Sequence, residues 1–358
     1  MRKILLFPYH PDIDLLLEHA SSLKEVQIIG ISSYKEDLVV TEPLNRKLGN
    51  TGNFHELLAE CDSLLLLENY RNCTVDKYYE VMKEALSAGK QVVLVPQLLK
   101  ELDLGPFQGT YQVLENLPNT DTYIQDSNRF QEERKYKIQT PIIAVFGMGK
   151  HCNKFENQIL LQSILEKEGF DGIWISSNPL GALFGSYTMP AFLYDTALSF
   201  ESKVFAFNKF LHLLSLGKKP DVFLLGIPEG ISEFEVHEYH HFAEYPLVIG
   251  SAVPVDSAVF CTYFLETPDI QGIAGIANHS LERFGFPVDM VSIGKSSYET
   301  IQGRSVISFS FLDKDYVKRH FAPVDGLPDS VSAVWDTKKT QLAMRNLLQK
   351  LQSNVNAI

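Results

Sequence analysis

The sequence is poor in the features that mark several protein classes. No run approaches the roughly 18 uninterrupted apolar residues that a bilayer-spanning helix needs. The apolar stretch nearest the start, Ile4 to Phe7, is too short for a signal-peptide core and reads as a buried strand. Cysteine is scarce: Cys61, Cys73, Cys152 and Cys261 lie far apart with no CxxC pair, which argues against a disulfide framework. Isolated thiols fit a reducing compartment, so a cytoplasmic location is expected. Basic charge is also in deficit, 32 Lys and Arg against 44 Asp and Glu, a formal net charge of −12. Such a surface repels phosphate backbones and anionic lipid, so nucleic acid and membranes are not expected as partners. A local basic pocket remains free to bind a small phosphate compound. There is no internal repeat and no low-complexity tract.

What is present is ordinary globular composition, 45% hydrophobic and 21% charged over 358 residues, a length that suits two domains. Short apolar runs at 3–7, 26–31, 63–67 and 91–95 alternate with amphipathic stretches at 12–23 and 77–88. In the last of these Tyr78, Val81, Met82 and Ala85 recur at helical spacing. This rhythm predicts a Rossmann-like α/β domain over 1–105 with a parallel sheet covered on both faces. Gly105-Pro106, the polar 116–121 and the charged 132–135 break it, so 106–140 reads as a linker or covering arm. Strands at 141–146, 172–176, 221–225, 258–264 and 288–293, with helices at 153–169, 203–216 and 342–351, predict a second α/β domain over 141–358. The expected fold is two three-layer α/β/α domains with mainly parallel sheets.

Parallel sheets bind ligands at the C-terminal ends of their strands, where free N–H groups and the helix dipole favour an anion. Gly147-Met148-Gly149-Lys150-His151-Cys152-Asn153-Lys154 occupies such a place. Its glycines permit close backbone approach, and Lys150 and Lys154 supply charge. Set against a phosphate-binding loop it is altered. Asn153 and Phe155 flank Lys154, so the hydroxyl that would ligate magnesium is missing and Glu156 is a substitute candidate. The competing reading is that this turn and Gly226-Ile227-Pro228-Glu229-Gly230 only make tight strand-to-helix connections. The second half resembles dethiobiotin-synthetase-like P-loop proteins, in which a longer loop precedes the GK pair and a later strand ends in a glutamate–glycine turn. By that resemblance Gly226, Glu229 and Gly230 face the same cleft as Gly147, Gly149, Lys150, Asn153 and Lys154, with a nucleotide or phosphate as ligand.

Several phrases are similar to clostridial peptide-maturation-system proteins, which accompany gene clusters for ribosomally made, modified peptides. They are Leu5-Leu6-Phe7-Pro8-Tyr9, Val145 to Gly149, Asn153 to Glu156, Gly181 to Pro190, Phe207-Asn208, and Lys219 to Val222 into Gly226 to Gly230. The resemblance implies a pathway context, with a peptide substrate or a maturation enzyme as partner, more than a reaction.

His237-Glu238-Tyr239-His240-His241 matches HExxH, which on a helix would put His237 and His241 on one face for zinc, with Glu238 activating a bound water. The stretch 233–244 is rich in His and Glu throughout, so a solvated polar face is the competing reading. Cys152 beside His151 at a helix start is a further nucleophile candidate, and Tyr9-His10-Pro11 a further strand-end contact. Glu201 and Asn208, seven apart, share a helix face that is either a polar lining or solvent-exposed. Three functions follow from these readings. The first is an accessory protein that binds an anionic ligand or peptide partner. The second is an ATP-dependent ligase or kinase-like enzyme using Lys154 with Glu229 or Glu156. The third is a zinc-dependent hydrolase.

Overall fold

A computed structural model describes residues 1–32, 54–68, 73–118, 134–232, 240–300 and 307–355. The chain divides into two compact units, 1–116 with 179–186, and 117–178 with 187–358.

The first unit is built on five strands: β1 (Arg2–Phe7), β2 (Val26–Ile31), β3 (Ser63–Leu66), β4 (Gln91–Leu94) and β5 (Tyr111–Val113). They pair in the order β2-β1-β3-β4-β5, every pair parallel. This is the flavodoxin-like order of the doubly wound sheet. Its helices are α1 (Asp12–Glu18), α2 (Phe54–Glu60), α3 (Val75–Ser87) and α4 (Leu98–Glu101). Thr74 caps α3 by accepting from the Lys77 amide, and the helix buries Tyr78, Val81, Met82 and Ala85, the four residues picked out by spacing. The stretch expected as a linker supplies β5 to this sheet, while 119–133 falls outside the described residues. The 3-10 segment Pro179–Phe184 also belongs here, where Leu183 accepts from the Lys24 amide at 2.8 Å.

The second unit holds β6 (Ile142–Gly147), β7 (Gly172–Ser176), β8 (Tyr187–Thr188), β9 (Val222–Gly226), β10 (Ser257–Thr262), β11 (Val288–Ile293) and β14 (Val331–Ala333). Their order is β14-β11-β10-β6-β9-β7-β8, again all parallel. Strands β6, β9 and β10 are buried along their whole length, as the centre of a sheet covered on both faces must be. Phe146 meets Phe260 and Phe286 edge-on at 5.0 and 5.1 Å in the core. The helices are α5 (Lys154–Lys167), α6 (Phe200–Lys218), α7 (Glu244–Ala252), α8 (Ile270–Phe284), α9 (Lys314–His320) and α10 (Thr337–Val355). An antiparallel hairpin, β12 (Ser296–Thr300) with β13 (Ile307–Phe311), stands apart from the sheet.

Strand order places the ligand end of this sheet. From β6 the chain fills one side with β7, β8 and β9, then crosses to build β10, β11 and β14 on the other. The loops leaving β6, β9 and β10 therefore meet at a topological switch point, where open α/β sheets bind ligands.

Candidate functional site

The loop from β6 into α5 is held in shape by left-handed backbone and by neighbouring turns. His151 and Asn153 have φ of +58° and +60°. A left-handed residue followed by a helical one turns successive N–H groups toward one side, the geometry of an anion nest. Asn153 stands at the N-cap of α5, yet its side chain makes no capping bond. Its Oδ1 accepts from the Lys295 amide at 2.8 Å, and its Nδ2 donates to Glu156 at 3.0 Å. The start of a fourteen-residue helix is thus left without its usual side-chain acceptor.

The turn after β9 locks against this loop. The Met148 carbonyl accepts from the amides of Ile231 and Ser232, both at 3.1 Å. A Cβ placed on Gly230 would fall 2.1 Å from the Met148 oxygen and 2.3 Å from Gly149 Cα, so only glycine permits this approach. A Cβ on Gly147 would meet the Cys261 carbonyl at 2.5 Å, and one on Gly226 would meet Gln158 Oε1 at 2.1 Å. Gln158 cannot easily yield, because that oxygen accepts from Trp174 Nε1 and Ser176 Oγ, each at 3.0 Å.

The charged groups converge on this junction. Lys154 Nζ donates to the Gly149 carbonyl at 2.5 Å and to the Glu229 carbonyl. Lys150 Nζ, on a half-exposed side chain, lies 3.3 Å from Glu229 Oε1. The other carboxylate oxygen of Glu229 lies 3.4 Å from Nδ1 of the buried His240. Burial raises the Glu229 pKa, but the bond from His240 and the charges of Lys150 and Lys154 outweigh it and hold the carboxyl below its ordinary value. Glu229 is therefore ionised. Burial and the nearby Glu229 charge push the Tyr194 hydroxyl up, and push Tyr245 up to about 12. Cys261 is raised well above an ordinary thiol by burial. Cys152, the nucleophile candidate, is fully buried with Sγ 3.1 Å from the Gly149 carbonyl, a structural contact.

The structure thus brings Gly147, Gly149, Lys150, Asn153, Lys154, Gly226, Glu229 and Gly230 to one place. Glu156, the alternative magnesium ligand, is buried and engaged elsewhere, with Lys295 Nζ at 3.1 Å. His237 and Glu238 lie outside the described residues. His241, Phe242 and Ala243 all have positive φ, +51°, +54° and +59°, so the backbone at His241 is a left-handed turn rather than an α-helix. Among the described residues no group of three or more His, Cys, Asp or Glu is arranged to hold a metal ion. Asn208 is buried and bonds both the amide and the carbonyl of Tyr136, at 2.6 and 3.0 Å, whereas Glu201 is exposed. Sequence reasoning missed His240 as a partner of Glu229, hidden within the HExxH string. It also missed Tyr263, whose hydroxyl donates to the Lys150 carbonyl at 2.8 Å.

Fold and site define an α/β protein of two units, the second carrying a P-loop-like turn on the central strand of its sheet. No family model matches the chain, and no curated protein matches it. In three dimensions it is similar to a DUF1611 family protein from Anabaena variabilis, with a TM-score of 0.53 and 12% identity over 82% of this chain and 88% of that one. That likeness supports the fold. A LAO/AO transport system kinase overlaps 81% of this chain and 83% of its own at 12% identity, but at a TM-score of 0.29 the overlap carries no argument. Neither likeness supports the peptide-maturation context. No helix among the described residues is long and apolar enough to cross a membrane.

Proposed function

We propose that the second unit binds a phosphate-bearing anionic ligand on the 147–154 loop. The observation that carries this reading is the uncapped start of α5 facing two lysines, with Lys154 Nζ fixed between the loop and the β9 turn. An ammonium has three donors. Two of those on Lys154 go to carbonyls and a third reaches the Cys152 sulfur at 3.9 Å, a weak acceptor that a ligand oxygen can replace. The half-exposed Lys150 makes only a partly solvated ion pair with Glu229, a weak contact that it can exchange for a ligand oxygen. Glu229, ionised at the rim, favours a ligand that arrives with a cation such as magnesium.

The finer part of the proposal is an accessory role in peptide maturation, which rests on the matched phrases, Leu5 to Tyr9 and the motif residues of the second unit among them. The ATP-dependent enzyme is the same site with a reaction added. The zinc hydrolase has less support, since His241 sits in a left-handed turn.

Calorimetric titration of metal-free protein with ATP, ADP, GTP and pyrophosphate, with and without magnesium, tests the reading. Lys154→Ala removes a charge-assisted contact worth about 1.5–3 kcal/mol, so binding should weaken roughly ten- to hundredfold. Lys150→Ala should weaken it less. Silence from all four ligands in the wild-type protein would overturn the proposal.

A further inference from the structure

The phosphate loop lies at the C-terminal edge of the second sheet, and the opposite edge carries a groove with no part in the site described so far. There the entry to β6 and the link from α6 into β9 run side by side, the Phe223 amide donating to the Pro141 carbonyl at 2.8 Å. Where they meet the end of α6 is a groove of about 290 Å³, lined by Lys137 and Thr140, by His212 and Leu216, and by Lys219 and Pro220. No carboxylate lines it, in a chain whose net charge is −12. Among the described residues neither Lys137 nor Lys219 makes an ion pair.

Two features mark the groove as built. Lys219 has φ of +52° at the C-terminal end of α6, where its amide donates to the Ser215 carbonyl at 3.0 Å. Glycine is the usual occupant of such a left-handed helix end, so a lysine there is retained for its side chain against the preference of the backbone. The facing wall is clamped. Asn208, buried on α6, accepts from the Tyr136 amide at 2.6 Å and donates to the carbonyls of Tyr136 and Ala252, both at 3.0 Å. The Tyr136 ring stacks on His212, 4.4 Å between centroids and 8° from parallel. His212 Nδ1 is buried without a hydrogen-bond partner. A nitrogen so placed costs least without a proton, which puts the ring proton on Nε2 and makes that atom the donor His212 can offer a ligand.

We propose that this groove binds a small organic polycarboxylate of about the size of citrate, its carboxylates on Lys137, Lys219 and His212 and its carbon chain against Leu216 and Pro220. Two ammonium groups call for a ligand with at least two anionic groups, and the apolar wall favours a carbon chain over an inorganic oxyanion. The volume falls at the small end of ligand cavities, which suits a molecule of a few carbons rather than a nucleotide or a folded partner. The proposal is independent of the anion site on the other edge of the sheet.

Calorimetric titration of the metal-free full chain with citrate, succinate, acetate and inorganic phosphate tests it. Citrate should bind most tightly and succinate less so, with acetate far weaker than either. Lys137→Ala and Lys219→Gly should each weaken citrate about tenfold. Glycine suits the backbone at 219, so Lys219→Gly should melt no lower than wild type, which separates lost binding from lost fold. Acetate as tight as citrate overturns the polycarboxylate, as does phosphate that binds as tightly and is weakened by the same two substitutions. Citrate affinity unchanged in both variants overturns the groove as its site. Silence from citrate and succinate in wild-type protein overturns the whole proposal, whatever pyrophosphate and nucleotides do at the phosphate loop.

Discussion

Glu229 has φ of +56°, a conformation that costs a non-glycine residue of this size about 1 kcal/mol or more. What retains it is the company of its side chain, with Lys150 on one oxygen and His240 on the other. Because its folded pKa is depressed, the stability it contributes is present above the unfolded value and lost as pH falls through the folded one. Urea unfolding between about pH 6 and pH 3 should therefore show Glu229→Gln less stable than wild type at the upper end, with the two converging in acid. A gap that stays constant across that range would show the charge to be idle. The meeting of Glu229 with Lys154 was expected from the resemblance of the second half to dethiobiotin-synthetase-like P-loop proteins, and the structure brings the Glu229 carbonyl to Lys154 Nζ. The bond to His240 was not, since histidines inside an HExxH string read first as metal ligands or as solvated.

At the scale of elements, the strands were legible where they are central and fully apolar: β6, β9, β10 and β11 fall within a residue or two of the expected runs. Others were not, β14 and the helices α7, α8 and α9 among them. The three-residue β5 and the two-residue β8 are too short to show periodicity, and the β12–β13 hairpin alternates serines with aromatics at period two just beyond a stronger strand. The glycine turns were legible as turns, but their mutual contact depends on a packing distance no motif encodes. Gly230→Ala drives a methyl group into the Met148 carbonyl and the Gly149 backbone, neither of which can move as a side-chain end would. The expected cost is about 1–3 kcal/mol or more, read from thermal or urea unfolding, with loss of ligand binding. An unchanged melting temperature would mean that the two turns separate freely.

For the whole molecule, a ligand that binds the folded second unit but not the unfolded chain raises its melting transition by mass action. At a concentration of a hundred times Kd the gain is about 2.7 kcal/mol, which calorimetry reads as a shift of several degrees. Lys154→Ala, with binding weakened ten- to hundredfold, should cut that gain to about 0.4–1.4 kcal/mol at the same ligand concentration. The surplus of negative charge argues against polyanionic partners as a field effect, yet the proposed anion site is a local cluster of cations that already have partners. Lys150 is matched by a carboxylate and Lys154 by two carbonyl oxygens before any ligand arrives. Such a site is self-quenched, and an anion has to outbid contacts that already exist. Orthophosphate, offering few oxygens and no second anchor, gains little from the exchange, whereas a longer ligand reaching both lysines and the helix N-terminus recovers all it displaces. On the proposed reading, orthophosphate should therefore bind far more weakly than pyrophosphate in calorimetric titration, a selectivity that needs no door or gate.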